Sequence, residues 1–322
     1  MKITLNSQLS TLNSQLNKCL ETKTTLRDTL KSQDTEEWID LVFYRPIGYL
    51  WALFFKKINV TPNAVTIMSI ILGIAAGVMF YFNDLWINIV GMILLVWADT
   101  FDSADGQLAR MTGNYSRFGR ILDGAAGDFW FISIYAAICF RLMPEWGFQI
   151  WILAAITGYF HTKQAAMADY IRNFHIMFVK GKNGSELDDY KKLREHTKHL
   201  TWRGDFIEKL FMVFYVPYTK EQESWTPRLQ SFRLALAKKY GDNEPPEKFR
   251  EEFRKESRPM MKYTNILSFN SRAIALFISL LAGFPWAYFI FELTILNILL
   301  IYLLSKYGRI CKRFDLRLRG NN

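Results

Sequence analysis

Residues 99–110 read Asp-Thr-Phe-Asp-Ser-Ala-Asp-Gly-Gln-Leu-Ala-Arg, and residues 119–128 read Gly-Arg-Ile-Leu-Asp-Gly-Ala-Ala-Gly-Asp. The stretch holds the carboxylates Asp99, Asp102, Asp105, Asp123 and Asp128 and lies between two apolar runs, Trp86–Ala98 and Phe129–Phe140. A membrane-crossing helix needs about twenty residues, and each run is only about two-thirds of that length. Each can cross only if its helix continues into the acidic stretch, which brings the carboxylates to membrane depth and sets them facing one another. Acids in that position are costly unless neutralised and are functional-site candidates by default. Asp102 and Asp105 are three apart and share a helical face, with Asp99 one turn behind them. Such hard oxygen ligands suit Mg²⁺ or Mn²⁺, one or two ions held between the two helices. A solvated acidic turn between core helices is the plainer alternative. The short apolar runs speak against it, as do the small residues Gly106, Ala109, Gly119, Gly124 and Gly127, which let a bulky ligand approach the backbone.

The pattern Asp102-x2-Asp105-Gly106-x2-Ala109-Arg110-x8-Gly119-x3-Asp123 resembles the signature of the CDP-alcohol phosphotransferases, also called CDP-alcohol phosphatidyltransferases. That resemblance implies an integral membrane enzyme transferring a phosphoryl-alcohol group from a CDP-linked donor to a hydroxyl acceptor, with release of CMP. It also implies that Asp102, Asp105 and Asp123 hold metal ions, and that a fourth aspartate completes the metal site and acts as catalytic base. Gly106, Ala109 and Gly119 would make room for the nucleotide, Arg110 would contact its phosphates, and Asn63 would border the nucleotide site.

One position departs from the family pattern. Its fourth aspartate stands four residues after the third, where this chain has Gly127, and Asp128 follows one place later. One extra residue turns a helical side chain by about 100°. A one-residue π-bulge between Asp123 and Asp128 would restore the shared face, and Gly124 and Gly127 make such a distortion cheap. On that expectation Asp128 is the fourth ligand and the base. Otherwise it stands behind the ligands, and the role is lost or passes to Asp99. For Asp99 itself, pairing with a basic residue of helix four or five is expected, because buried charges are usually paired.

The whole chain has 322 residues, 50% hydrophobic, with a formal charge of +10. Apolar blocks of this length exclude an ordinary soluble domain and a nucleic-acid binder, and the basic excess fits partners rich in phosphate or anionic lipid. Cys19, Cys139 and Cys311 are too far apart for a redox or metal spacing. Residues 4–17 contain a two-copy heptad-length repeat, too short for a coiled coil. Residues 1–35 read as a poorly ordered extension with no catalytic role, the first thirty or so consistent with an upstream start codon.

Residues 36–60 mix aromatic and basic side chains as a helix in the membrane interface does. Thr61-Pro62-Asn63 is a helix-start signal. Six transmembrane helices are expected: Ala64–Phe82, the two helices through the acidic stretch, Trp146–Tyr170, Ser271–Phe284 and Ala287–Leu304. Residues 61–170 thus carry helices one to four and the motif, and 271–305 carry helices five and six. The links at 83–85, 142–145 and 285–286 lack Lys and Arg, whereas 110–120, 171–270 and the basic tail 306–322 are rich in them. The positive-inside rule then puts both termini and the acidic site on the cytoplasmic side of the inner membrane. The fold class is an all-α polytopic membrane protein with a large cytoplasmic insertion at 171–270. In that insertion, Phe206–Tyr218 reads as an interfacial patch ending at Pro217, and a solvated excursion is the plainest reading of the whole.

An anionic acceptor needs basic groups near the metals. The candidates are Arg117, Lys163, Arg172 and Arg272, each of which could instead snorkel to the membrane surface. With His161, Thr162 and Gln164 on helix four, they favour CDP-diacylglycerol as donor and a polar, phosphorylated alcohol, narrowly inositol phosphate, as acceptor. The alternative within the family is CDP-ethanolamine or CDP-choline acting on diacylglycerol or ceramide. From other classes, an inactive nucleotide- or lipid-binding relative and a transporter stay open. Gly73 and Gly77 form a small-xxx-small pair that suits either a homodimer or packing within one chain.

Overall fold

The computed structural model describes residues 32, 34–181, 185, 187–241 and 243–320, with the side chains of 117, 118, 121 and 207 left aside. Of the extension expected at 1–35, all but 32, 34 and 35 lie outside these, and those three are not loose: Ser32 and Thr35 are buried and Asp34 pairs with Arg254 and Arg258. A π-helical turn at Asp40–Tyr44 leads into α1 (Arg45–Lys57), which buries Ala52 and Phe55 and leaves Leu50 and Phe54 exposed. One apolar side inward and one outward is what an interfacial helix requires.

The helix-start signal then acts as its residues predict. Thr61 Oγ1 accepts from the Ala64 amide at 3.3 Å, and Pro62 stands in the first turn, where its missing N–H costs nothing. The resulting α2 (Pro62–Phe80) is followed by α3 (Leu85–Thr112) and α4 (Arg117–Trp146). Both apolar runs do continue through the acidic stretch. Asp84 caps α3 at the Ile87 amide, and Gly113, at φ +66°, ends it in the left-handed region that favours glycine. Ser116 caps α4 at the Gly119 amide.

Helix α2 packs on α3 and α4, and α1 lies on α3. The Gly73–Gly77 pair is consumed inside this chain. A Cβ on Gly73 would come within 2.0 Å of the Trp130 indole, and one on Gly77 within 2.3 Å of Ser133 Oγ, so the two glycines seat α4 against α2. Their surface is therefore not free for a second copy.

Beyond the motif lie α5 (Gln149–Lys180), α6 (Tyr190–His199), α7 (Phe206–Trp225), α8 (Pro227–Tyr240) and α9 (Glu247–Ile266). The chain ends with α10 (Phe269–Leu281), α11 (Trp286–Phe291), a π-helical turn at Glu292–Leu296 and α12 (Asn297–Arg319). No strand occurs among the described residues. Among the described residues, five segments are long and apolar enough to cross a membrane: Pro62–Phe80, Leu85–Thr112, Leu122–Trp146, Glu247–Leu281 and Trp286–Arg319. The expected span at Trp146–Tyr170 falls in α5, which is not among them; His161, Lys163, Gln164 and Asp169 lower its apolarity. The chain is a multi-pass, all-α membrane protein.

The 171–270 region is not a solvated excursion. Helix α5 runs on to Lys180 and α12 to Arg319, and α8 and α9 pack on these extensions. Phe174, Phe178, Phe232, Phe253, Tyr307 and Phe314 form a second buried core there, apart from the core among α2, α4, α5 and α10. Helix α7 also continues through Pro217 rather than ending at it. The apolar spacing along α9 gave the physical reason: Phe249, Phe253, Met260 and Met261 recur at helical intervals and need a partner face.

Candidate active site

Asp102 and Asp105 project from the second half of α3, and Asp123 from the second turn of α4. One carboxylate oxygen from each lies within 4.8 Å of the others. Asp105 is buried, while Asp102 and Asp123 are half-buried. Three hard, charged oxygen donors converging from two helices fit a divalent cation, and little else could offset their mutual repulsion at this depth.

Thr66 of α2, which the sequence did not single out, completes this grouping. Its hydroxyl lies at hydrogen-bond distance from Asp105 Oδ2 and from the Pro62 carbonyl. A hydroxyl on a carboxylate of this kind fixes which oxygen stays available for a metal. The signal was a threonine at the start of an apolar helix, one turn past the Pro-Asn pair.

Asn63, Ser116 and Gly119 also converge. A Cβ on Gly119 would stand 2.3 Å from Asn63 Oδ1, so only glycine lets the α2 start close on the α4 start. Ser116 Oγ lies 3.4 Å from the same Asn63 oxygen. The Arg110 guanidinium folds back over Gly106, 3.3 Å from where a Cβ would be, and its buried Nε has no hydrogen-bond partner. Ala109, half-buried, precedes Arg110 on the same helix. A guanidinium with an unused donor beside an acidic cluster suits a phosphate bound between them.

The π-bulge is absent. Helix α4 is α-helical throughout, and Asp128 is exposed and outside the three-carboxylate group. Its electrostatic neighbour is His161 of α5. Gly127 occupies the register that Asp123 predicts, and a Cβ there would meet nothing within 4 Å. A regular helix is the cheaper state, because a bulge gives up a backbone hydrogen bond that no carboxylate–carboxylate approach would return.

Asp99 does not pair with helix four or five. The charges in its range are Asp40, Arg45 and Glu37, all from the segment before α2. Arg45 is held there by Glu36, at 3.0 Å from Nε, and donates to Ser103 Oγ at 3.4 Å beside the acidic cluster. Asn270 at the start of α10 donates to both Glu37 and Asp40 at 2.8 Å. Burial pushes the Glu37 carboxyl up to about 7, against that hydrogen bond.

The basic residues proposed for an acceptor are not gathered around the carboxylates. Arg272 is buried in an ion pair with Glu292, 2.6 Å, and donates to His161 Nδ1 at 2.7 Å and Gln164 Oε1 at 2.8 Å. Tyr135 and Tyr288 bond the same glutamate, closing a polar knot inside the bundle. Glu292 was the overlooked signal, an acid inside an apolar run. Lys163 pairs with Glu221 and lies 4.7 Å over the Tyr159 ring. Arg172 donates to Ser268 Oγ at 2.6 Å, within electrostatic range of Glu37 and Asp40. The Arg117 side chain lies outside the described residues.

Residues 59–171 match the sequence model of the CDP-alcohol phosphatidyltransferase family, a span that includes every residue of the carboxylate cluster. Over that segment the chain is similar to the CDP-alcohol phosphatidyltransferases. Among curated proteins, it is similar to the bifunctional IPC transferase and DIPP synthase of Aquifex aeolicus, 31% identical over 153 residues. That match covers 48% of this chain and 31% of the relative. It is also similar to the archaetidylinositol phosphate synthase of Pyrococcus horikoshii, 32% identical over 90 residues, covering 28% of this chain and 46% of the relative. The chain thus spans less than half the length of each of these relatives. No solved structure matches it. Within the matched segment, α2, α3 and α4 supply all three carboxylates, Thr66, Asn63 and Arg110.

Proposed function

We propose that the chain transfers a phosphatidyl group from CDP-diacylglycerol to a polar, phosphorylated alcohol, narrowly inositol phosphate, releasing CMP. The observation that carries this reading is the convergence of Asp102, Asp105 and Asp123 beside an Arg110 whose Nε is unpartnered. The name of one relative, an archaetidylinositol phosphate synthase, supports the acceptor. When bound, one or two Mg²⁺ or Mn²⁺ ions would neutralise the donor diphosphate and the departing CMP.

The chain's own residues do the rest. Arg110 contacts the diphosphate, and Asn63 with Gly119 borders the nucleotide. The acceptor oxygen attacks the lipid-bearing phosphorus, the bond from that phosphorus to the CMP oxygen breaks, and the hydroxyl proton passes to a carboxylate. We assign that carboxylate to Asp99 rather than Asp128. Asp99 lies within electrostatic range of Asp102, whereas Asp128 is exposed, outside the three-carboxylate group, and within range of His161 instead. The site faces the cytoplasm of the inner membrane in this reading, the side to which the basic links point.

The test is product identification with purified protein, CDP-diacylglycerol and inositol phosphate, glycerol phosphate, inositol or serine. A phosphatidylinositol phosphate product, formed by Asp128→Asn and lost in Asp99→Asn, supports the assignment. Product only from CDP-ethanolamine or CDP-choline with a lipid acceptor overturns the donor. No product with any pair leaves the reading of an inactive relative, which the displaced fourth aspartate would explain.

A further inference from the structure

Helix α7 is built inside out over its first half. Phe206, Leu210, Val213 and Phe214 recur at helical spacing on its outward side and are all exposed, Phe214 to 70%. Trp202, also exposed, packs against the Phe206 ring with centroids 6.0 Å apart. Polar side chains of the same helix turn inward instead. Tyr215 donates to Asp188 Oδ2 at 2.7 Å, Gln222 donates to the Ala166 carbonyl of α5 at 3.0 Å, and Glu223 accepts from the Tyr190 amide at 2.9 Å. Water would select the reverse arrangement, and a contiguous apolar patch of this kind marks a contact surface. Beyond Pro217 the outward side becomes polar, at Lys220 and Ser224.

Two observations say what covers the apolar half. The first is its level. Tyr215 lies within electrostatic range of Arg120, and Tyr218 within range of Asp128. The middle of α7 therefore stands beside the opening turns of α4, where the membrane-crossing segment Leu122–Trp146 begins. Helix α7 is itself not among the crossing segments found in the described residues. The second is charge. Helix α6, which packs on α7 through Leu193 and Met212, exposes Lys191, Lys192, Arg194 and Lys198. An apolar side at the level where a membrane helix starts, beside a helix rich in lysine and arginine, is the composition of an element lying in the bilayer surface. Lys209 Nζ stands 5.3 Å over the Trp202 ring, and tryptophan is the amphipathic ring common at the headgroup level.

We propose that α6 and α7 form a membrane-docking element outside the crossing segments. Helix α7 lies along the boundary between headgroups and acyl chains, with Trp202, Phe206, Leu210, Val213 and Phe214 in lipid, and α6 rests on anionic headgroups. The element sits on the side of the membrane that carries the α3–α4 link. A second copy of a chain with formal charge +10 complements the basic side of α6 less well than anionic lipid does.

The test uses the full chain in lipid nanodiscs, with Cys19→Ser and a nitroxide attached at Phe214→Cys or Ser224→Cys; Cys139 and Cys311 are buried. Both labelled positions are exposed, so the label disturbs no packing. Collisions with oxygen, which concentrates in hydrocarbon, are compared with collisions with a water-soluble nickel chelate. At Phe214 oxygen should dominate, at a depth of about 5–10 Å below the phosphates. At Ser224 the chelate should dominate. Chelate access at Phe214 equal to that at Ser224 would put the face in water, and exclusion of both reagents would put it under protein. Either result overturns the docking, and so does a depth near the bilayer centre, which would make α7 a crossing helix. In a second measurement, amide exchange over residues 190–199 should be slower in phosphatidylglycerol than in phosphatidylcholine. Lys191→Gln combined with Lys192→Gln should remove that difference. Equal exchange of the unaltered chain in the two lipids would refute the headgroup contact.

Discussion

Thr66 on α2 and Asp105 on α3 are joined through the threonine hydroxyl and carboxylate Oδ2, so the first membrane helix sets the orientation of a carboxylate carried by the second. Groups behind a metal ligand typically change affinity about 10- to 100-fold when removed. Thr66→Val should therefore weaken Mn²⁺ binding by at least about tenfold, while Thr66→Ser keeps it. Titration of the purified protein with Mn²⁺, read by electron paramagnetic resonance, separates the two.

Gly119→Ala places a methyl group onto Asn63 Oδ1. Because α2 and α4 are also locked together by Gly73 and Gly77, the fold has no slack to absorb the clash, and Asn63 must turn away. CDP binding by calorimetry should weaken about tenfold, or about 1.4 kcal/mol. Asn63→Ala, which removes the obstacle, should make a second change at Gly119 nearly silent.

Glu37 gives the N-terminal segment a pH dependence. Its folded-state carboxyl is raised from 4.5 to about 7, chiefly by burial, with Asp40 and Glu36 adding in the same direction and Asn270 and Arg172 opposing. A raised value means the favourable contribution is complete below about 4.5 and is lost as pH rises through 7. Amide exchange in residues 36–44 should therefore be slower at pH 5.5 than at pH 8 after correction for intrinsic rates. Glu37→Gln should abolish the difference.

Arg272 and Glu292 form a pair whose halves are unequal to lose. Arg272→Met leaves a buried glutamate without its cation and should cost about 3–5 kcal/mol, whereas Arg272→Met with Glu292→Gln should regain much of it. Thermal unfolding in detergent measures both.

These features were not equally legible in the sequence. The continuation of both apolar runs into the acidic stretch followed from length alone, and the i, i+3 spacing put Asp102 and Asp105 on one face. The fate of Asp128 did not follow, because the sequence shows a one-residue offset but not whether a helix yields to it. Arg272 and Asp99 were misjudged for a related reason. Asp99 suggests a partner on helix four or five yet lies near Arg45 before the first membrane helix, and Arg272, a candidate for acceptor binding or snorkelling, is instead paired with Glu292. Such pairings depend on which helix faces are adjacent, which periodicity does not encode. The 171–270 region looked solvated because its charge is high, although Phe232, Phe249 and Phe253 already marked buried faces.

The most direct test of the central claim is CMP release from CDP-diacylglycerol and inositol phosphate, with Mg²⁺ or Mn²⁺ present or chelated. Release that requires the metal and the acceptor, and that falls at least about 100-fold in Asp123→Asn, is the predicted result. Release that persists in chelator, or is unaffected by Asp123→Asn, would contradict the three-carboxylate site.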